Sequence, residues 1–313
     1  MCNLRQTLRL YCLPCLVSNH SLSQINTKDS TFQAIGYWDL NEEQQYKITH
    51  SKYKVTGNDS ILKSKVDFTL NIKITDSTAN SYTIEWQYSD FKTNVKHPLL
   101  SKIISVNENR KIIFKTDEMG GFKEILNLEE LTRDYQKTLD ILKKEISKSD
   151  NELVELTKKI ETLYTGKLAV NSTTTKDINQ FYNFHGGAYK LNEVLEGDLK
   201  VDNLLGGEPF DAKVYVELTE ISEDNDFVVL LLEQYVDQEQ LAKEAIRFGE
   251  KIIDKKISAK DKKDIEKLEH SIILTSSIHN TGWPLYSMQV TNVSLDGNSS
   301  VEIREIEIIL DEN

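Results

Sequence analysis

The sequence predicts an α+β fold in which long, curved antiparallel β-sheets, half-barrel-like in shape, carry packed amphipathic helices. Three observations predict this class. Apolar and polar residues alternate over long segments in both halves of the chain, which is typical of half-buried antiparallel strands. Two other segments repeat apolar residues every three or four positions, as amphipathic helices do. Polar, turn-forming residues separate these segments.

The first 23 residues have the three parts of a secretory signal peptide. Arg5 and Arg9 precede a short apolar stretch at residues 10–17, and the small residues Ser21 and Ser23 provide a cleavage point. We therefore expect export, with cleavage after Ser23, to the periplasm, the outer envelope or the medium. The protein would be cytoplasmic if this leader is not functional.

All the cysteines lie in that leader: Cys2, Cys12 and Cys15. Cys12 and Cys15 have C-x-x-C spacing, but no strand–helix pattern surrounds them, so we interpret them as a passive part of the leader. The remainder of the chain has no residue for a disulfide or a zinc–thiolate site.

Residues 24–165 form the predicted N-terminal region, which consists of antiparallel hairpins followed by a helix pair. A strand at residues 46–55 precedes a hairpin over 66–88. Residues 103–106 and 111–115 alternate on both sides of an Asn-rich turn and predict a second hairpin.

The period changes after Asn127, which can cap a helix over residues 128–147. A second capping signature predicts another helix over residues 151–164, ending before Gly166. The pair would pack on a sheet. The alternative is one continuous heptad helix that dimerises as a coiled coil.

Residues 166–313 form the predicted C-terminal region, a sheet with helices. A short helix is expected at residues 176–184, then a strand at 212–218. The next strand, Phe227–Val236, is apolar on both faces, which predicts a central position covered on both sides. A helix then begins at Asp237.

The chain ends in a predicted three-strand meander at residues 270–278, 284–295 and 301–310, whose second turn is Asp-Gly. Apolar alternation slips by one residue within the last strand. A β-bulge near Arg304 and Glu305 would explain the slip.

Charge and motif content exclude several functions. The net charge is -12 and the pI is about 5.1, which disfavours binding to nucleic acid. The longest apolar run, residues 227–232, is too short for a membrane-spanning helix. No phosphate-binding loop, serine elbow or zinc-protease motif occurs, and no two of the six His have metal-ligand spacing. We therefore assign no catalytic residue, metal or cofactor.

Aromatic and apolar residues on the predicted strands are candidates to line a ligand cavity, although they would serve equally as plain core. They are Trp86, Tyr88, Phe227, Leu231 and Tyr235.

Two aromatic loops are candidate recognition elements. One contains His185 and Tyr189 around a glycine pair, and the other contains His279 and Trp283. The alternatives are a glycine-capped helix end with core aromatics and a hairpin tip whose Trp folds back on the sheet.

Several short segments resemble motifs of a group of exported, β-rich Bacteroidota proteins of unknown function. They are DINQF at residues 177–181, GGEPF at 206–210, TGWP at 281–284 and YTIEW at 82–86. The likeness spans residues 44–310. It implies an envelope or secreted protein rich in antiparallel sheet and supplies no catalytic residue.

These observations predict an exported cell-envelope protein, non-enzymatic, that binds an apolar ligand or a protein partner. One alternative is a hydrolase whose site the fold assembles around His185 and His279. The other is a structural or assembly protein that docks through the helical segment 128–164.

Overall fold

The computed structural model describes residues 24–95, 108–146, 167–203, 205, 207–222, 224 and 226–310. The predicted leader, the predicted strand at 103–106 and the predicted helix at 151–164 lie outside these residues. Within the described part of the chain, no helix is both long and apolar enough to cross a bilayer.

A small antiparallel sheet contains three strands: β1 (Ile25–Asn26), β2 (Thr31–Gln33) and β8 (Ala188–Lys190). The other described strands form one sheet of eleven: β3 (Glu43–Thr56), β4 (Asp59–Thr78), β5 (Ser81–Thr93), β6 (Lys111–Thr116), β7 (Phe122–Ile125), β9 (Val194–Val201), β10 (Phe210–Ser222), β11 (Phe227–Val236), β12 (Glu269–His279), β13 (Pro284–Leu295) and β14 (Asn298–Ile308). The described helices are α1 (Leu128–Ile146), α2 (Lys167–Tyr182), α3 (Gln238–Ile253) and α4 (Ala259–Ile265).

The large sheet is open and antiparallel throughout, in the order β7-β6-β5-β4-β3-β14-β13-β12-β11-β10-β9. Most neighbours are consecutive in the chain, as in a meander. The exception is β3, which pairs with β14 over its length, with Ile48 opposite Ile306. Strands from both predicted regions therefore lie side by side in one β-rich α+β fold.

One face of the large sheet carries helix α2, and we call it the inner face. Alternate residues of each strand point to this face, as the period of two requires. Tyr46, Leu70 and Trp86 on the strands are fully buried there, together with Ile178 and Phe181 of the helix. One core cluster therefore lies between helix α2 and the strands β3 to β6 and β14, and a second lies over β10 to β12 with Phe32 of the small sheet.

Helix α1 begins at the predicted residue, Leu128, and its apolar residues face the core. Leu131 is buried in the core, while Leu128 and Tyr135 pack against the core from its edge. Asn127 immediately precedes the helix, as predicted for a cap. Its side-chain oxygen, however, accepts a hydrogen bond from the backbone N–H of Ile113 on strand β6.

Helix α2 begins nine residues before the predicted start, at Lys167 rather than residue 176. Residues 167–175 are rich in β-branched and hydroxyl side chains, which have weak helix propensity. Tertiary packing overrides that weakness, since Thr174, Thr175 and Ile178 are buried where the helix crosses the sheet.

Strand β11 has the predicted bounds and lies inside the sheet between β10 and β12. The prediction that both its faces are covered is wrong. Val228 and Leu230 are buried on the inner face, whereas Tyr235 on the opposite face is 44% exposed. The helix predicted to start at Asp237 is confirmed, because the Asp237 carboxylate caps it by accepting a hydrogen bond from the Gln240 backbone at 2.8 Å.

The terminal meander is confirmed, but the predicted bulge near Arg304 and Glu305 is wrong. Strand β14 pairs with β13 and with β3 without any register shift. Arg304 takes the inner position between Glu302 and Ile306 and is 3% exposed. The apolar alternation along β14 is interrupted because the buried Arg304 occupies an inner position where an apolar residue would be expected.

Candidate ligand-binding site

Two clefts open on the inner face beside helix α2. The larger has a volume of about 530 Å³ and the smaller about 450 Å³. Both volumes lie in the range of small-molecule sites. Lys176, Glu302 and Arg304 line both clefts, so the two clefts adjoin at these charged side chains.

The smaller cleft has an apolar and aromatic wall made by strands β4 and β5. Val66, Phe68, Tyr88 and Phe91 form it. The rings of Phe68 and Phe91 stack with centroids 4.8 Å apart, and the Tyr88 ring lies 5.5 Å from Phe68. Such aromatic pairs hold one another in place, so this wall is largely preformed.

Three residues from distant parts of the chain form an ionic cluster beside this wall. Arg304 of β14 donates a hydrogen bond through Nη2 to Oδ1 of Asp177 on helix α2. The Nε2 atom of His50 on β3 lies 3.2 Å from the same oxygen. The cluster joins helix α2 to the middle of the sheet.

The pKa of Asp177 reflects this setting. Burial alone would raise the pKa of the carboxyl group, but the charge of Arg304 and then that of His50 outweigh burial and hold the pKa well below its ordinary value. Asp177 is therefore ionised at neutral pH. The pKa of the Tyr88 hydroxyl is raised, chiefly by burial and also by the nearby Asp177 charge.

Cations outnumber carboxylates around the smaller cleft. Its charged lining residues are Lys52, Arg110, Lys176, Arg304, Asp177 and Glu302. The Lys52 ammonium lies 3.4 Å from Glu302, and the Arg110 guanidinium lies 5.8 Å from the centroid of the Tyr88 ring. The cleft thus combines an aromatic wall with four positive and two negative groups.

The larger cleft is bounded by strands from both edges of the large sheet. Phe122 comes from edge strand β7, and Leu199 and Val201 come from the opposite edge strand β9. Between them, the apolar side chains of Leu232 and Leu274 line the cleft. Its polar lining includes Asn179, Asn183, Gln234, Gln289, Thr291 and His270.

The five residues predicted to line a cavity are placed in three different settings. Tyr88 lines the smaller cleft. Trp86 is fully buried in the core, with the Phe114 and Phe181 rings each 5.5 Å from its own. Phe227, Leu231 and Tyr235 alternate with the buried residues of β11 and therefore point to the outer face. The fold does not bring these five side chains together.

The two predicted recognition loops meet each other in the fold. His185 is buried and donates from Nε2 to the carbonyl oxygen of Gly282 at 2.8 Å. Trp283 is also buried, with its ring centroid 5.0 Å from that of Trp38, and its Nε1 donates to Glu42 at 2.6 Å. Gly282 has φ +85°, and a Cβ there would lie 2.2 Å from a backbone oxygen, so only glycine fits.

The remaining two loop residues make local contacts. The Tyr189 hydroxyl donates to the Phe184 carbonyl at 2.9 Å, and Nδ1 of His279 lies 2.9 Å from the Thr281 hydroxyl. Among the described residues, neither His185 nor His279 has a carboxylate within hydrogen-bonding distance. The geometry that a hydrolase built on these two histidines requires is therefore missing from the described part of the chain.

His185 should make stability depend on pH. Burial lowers its pKa to about 4, whereas an unfolded histidine titrates near 6.5. Below about pH 6.5 the unfolded chain gains a proton that the folded chain does not accept, so the free energy of unfolding should decline down to about pH 4, by up to about 1.4 kcal/mol per pH unit. Urea unfolding of the wild type and of His185→Gln between pH 7 and 4.5 measures this. Equal slopes in both proteins would contradict the expectation.

The ionic cluster is not predicted by the sequence. His50 and Asp177 carry no local signal, and they are 127 positions apart. Arg304 does have a signal: it interrupts an apolar alternation at a position that should face inward. Within the described ranges, no group of three or more His, Cys, Asp or Glu is placed to hold a metal ion.

No family model matches this chain, and no curated protein matches it either. Among solved structures, lipovitellin, from a study of its lipid–protein interactions, matches with a TM-score of 0.39 and 10% identity, over 87% of this chain and 25% of lipovitellin. This chain thus spans about a quarter of the lipovitellin chain. A Bacteroides fragilis protein assigned as exported, with a YmcC-like fold, matches with a TM-score of 0.25 and 8% identity over 88% of this chain and 100% of its own.

DynF, from the dynemicin biosynthesis pathway of Micromonospora chersina, matches with a TM-score of 0.20 and 6% identity over 96% of this chain and 94% of its own. These scores and identities are too low to define an activity for this chain. No family match identifies the group of exported proteins that the sequence resembles.

Proposed function

We propose that this protein is an exported, non-enzymatic binding protein of the cell envelope that holds an apolar ligand in the two inner-face clefts. The observation that carries the proposal is the pair of adjoining clefts, about 530 and 450 Å³, each with an apolar wall and a few converging polar groups. That combination is characteristic of ligand sites.

The shape of the sheet supports this proposal. Eleven strands spaced about 4.8 Å apart would place the two edges of a flat sheet roughly 48 Å from each other. Phe122 and Leu199 belong to the two edge strands, yet they line one cleft of about 530 Å³. We infer that the sheet curves around helix α2 like a half-barrel, which gives the clefts their depth.

Export is part of the proposal and rests on the composition of residues 1–23. The intact mass of the protein recovered from its host tests it, because cleavage after Ser23 leaves Gln24 as the first residue. An uncleaved chain would remove this part of the proposal and leave the clefts unaffected.

Filling the cleft that holds the ligand should weaken binding of an uncharged apolar probe. Nile red should bind the wild-type protein with blue-shifted fluorescence. Ser64→Trp fills the smaller cleft and Thr291→Trp the larger, because these residues line them. Loss of the contacts made by one buried apolar group, about 1.5–3 kcal/mol, should weaken binding by roughly tenfold or more in the cleft that holds the probe.

Lys65→Trp is the matched control, because it adds the same side chain one residue along β4, on the opposite face of the sheet. It should leave Nile red binding unchanged. The proposal fails if the wild type does not bind the probe, or if the control weakens binding as much as the two cleft variants do.

A further inference from the structure

The uncharged hydrogen-bonding groups of the larger cleft point to the chemical class of the ligand. We infer that the ligand is an amphiphile whose uncharged headgroup carries several hydroxyl groups, as in an alkyl glycoside. The headgroup binds the side-chain amides of Asn179, Asn183 and Gln234, while the alkyl chain packs on apolar side chains of the same cleft. This inference rests on the proposed function and adds the chemistry of the headgroup.

Three side-chain amides line the larger cleft with their hydrogen-bonding capacity unused. Asn179 and Asn183 lie about one turn apart on helix α2, and Gln234 lies on strand β11. Within the described ranges, none of these amides forms a hydrogen bond with another residue. Each amide has two N–H donors and a carbonyl acceptor. A ligand in this cleft can therefore form hydrogen bonds of both kinds, with the helix and with the sheet.

The charges of the larger cleft are balanced. Its lining contains three cations and two carboxylates: Lys176, Lys200, Arg304, Asp202 and Glu302. The residues outside this lining that form ion pairs with them are Asp177, Asp211 and Lys52. With these partners included, the cleft has four cations and four carboxylates. The cleft therefore has no excess charge that would attract an ionic headgroup of either sign.

Hydroxyl groups match the free amides better than ionic groups do. A carboxylate only accepts hydrogen bonds and an ammonium only donates them, so either would leave part of each amide without a partner. A hydroxyl group both donates and accepts. His270 also lines the cleft, and burial lowers its pKa, so its imidazole is uncharged at neutral pH and adds one donor and one acceptor. A headgroup with several hydroxyls can satisfy this set.

Apolar side chains beside the amides favour an amphiphile over a free sugar. Leu232 and Leu274 lie opposite each other on β11 and β12, and both are buried and line the cleft. Leu232 is two residues from Gln234, so their side chains point to the same face of the sheet. Leu199 and Val201 of edge strand β9 add to the apolar lining. An alkyl chain can pack on these side chains while its headgroup binds the amides.

Isothermal titration calorimetry with probes that share an octyl chain tests the headgroup. Octyl glucoside, octanol, octanoate and octylammonium are titrated into the full-length protein at neutral pH, below their micelle concentrations. We expect octyl glucoside to bind about tenfold or more tightly than octanol, because two hydrogen bonds each strengthen binding by roughly fivefold. It should also bind more tightly than the two ions, and added salt should not weaken it, because no charge contact is involved.

Removing the amides tests whether they bind the headgroup. The double variant Asn179→Leu with Asn183→Leu keeps the side chains at a similar size and should not weaken helix α2, because leucine favours helix more than asparagine does. Its preference for octyl glucoside over octanol should decrease to about twofold or less, and octanol should still bind. Gln238→Leu is the matched control, because it removes an exposed amide of helix α3 outside the lining of both clefts. It should retain the full preference.

Each outcome decides between distinct conclusions. If the four probes bind equally, or if an ion binds most tightly, the proposed apolar site stands and the headgroup inference is wrong. If Nile red binds but no octyl probe does, the apolar site stands and the inferred amphiphile is wrong. If neither Nile red nor any octyl probe binds, the proposed function itself fails. If glucose alone binds as tightly as octyl glucoside, the cleft binds free sugars and the amphiphile is wrong. A double variant that keeps the full preference contradicts the role of the two asparagines.

Discussion

Replacing Trp86 with alanine should lower the free energy of unfolding by about 3–5 kcal/mol, as expected when a large aromatic side chain is removed from a core. Trp86 is fully buried, and rings of Phe114, Phe181 and Tyr182 surround it at 5.5 to 6.0 Å. The indole joins the sheet to helix α2, so its loss leaves a cavity at the centre of the core. Urea unfolding followed by circular dichroism measures the change.

Tyr235→Ala is the matched control for Trp86→Ala. Tyr235 is an aromatic residue of strand β11 in the same sheet, but it is 44% exposed on the outer face. Its removal should change the free energy of unfolding by only about 0.5 kcal/mol. Similar effects of the two substitutions would show that Trp86 is not a central core residue.

Replacing Asp177 with alanine should destabilise the protein by about 3–5 kcal/mol, because it leaves the buried Arg304 charge uncompensated. The double variant Asp177→Leu with Arg304→Met should recover much of that loss, since an apolar pair of similar volume often replaces a buried ion pair without penalty. Glu43→Ala removes one partner of an exposed pair with Lys73 on the same sheet and should cost at most about 1 kcal/mol. A double variant as unstable as Asp177→Ala would contradict this account.

The contribution of Asp177 to the free energy of unfolding should also depend on pH. Its pKa in the folded protein lies below its ordinary value. The carboxylate therefore stabilises the fold fully above the unfolded pKa, near 3.9, and this stabilisation is lost as the pH falls from there towards the folded pKa. Consequently, the difference in unfolding free energy between wild type and Asp177→Ala should be constant around neutral pH and shrink below about pH 4. A difference that persists unchanged at pH 3 would exclude this origin.

Elements with a strong local pattern could be predicted from the sequence. Strand β11 has its predicted bounds, and helix α1 begins at its predicted residue. In both, packing and local periodicity favour the same structure. The sequence predicts only the second half of helix α2, because the residues of its first half have weak helix propensity and burial of residues such as Thr174 stabilises them.

The candidate site could not be predicted in the same way. Its ionic cluster joins residues 50, 177 and 304, and pairing of β3 with β14 brings them together. No local sequence pattern indicates a contact between residues that are so far apart in the chain. Side-chain type alone predicts the candidate cavity residues, and type does not specify which face of a strand is covered. Tyr88 and Phe227 are both aromatic strand residues, yet they lie on opposite faces of the sheet.

The pairing of β3 with β14 has a consequence for biosynthesis. Strand β14 is the last of the described strands to leave the ribosome, and its place is in the middle of the large sheet, between β3 and β13. Until it is made, β3 and β13 each expose an unpaired edge, and closing the gap brings together segments more than 200 positions apart. Translation of the final strand is therefore the step that joins the two parts of the sheet, and a nascent chain that pauses before it is prone to aggregate through those edges.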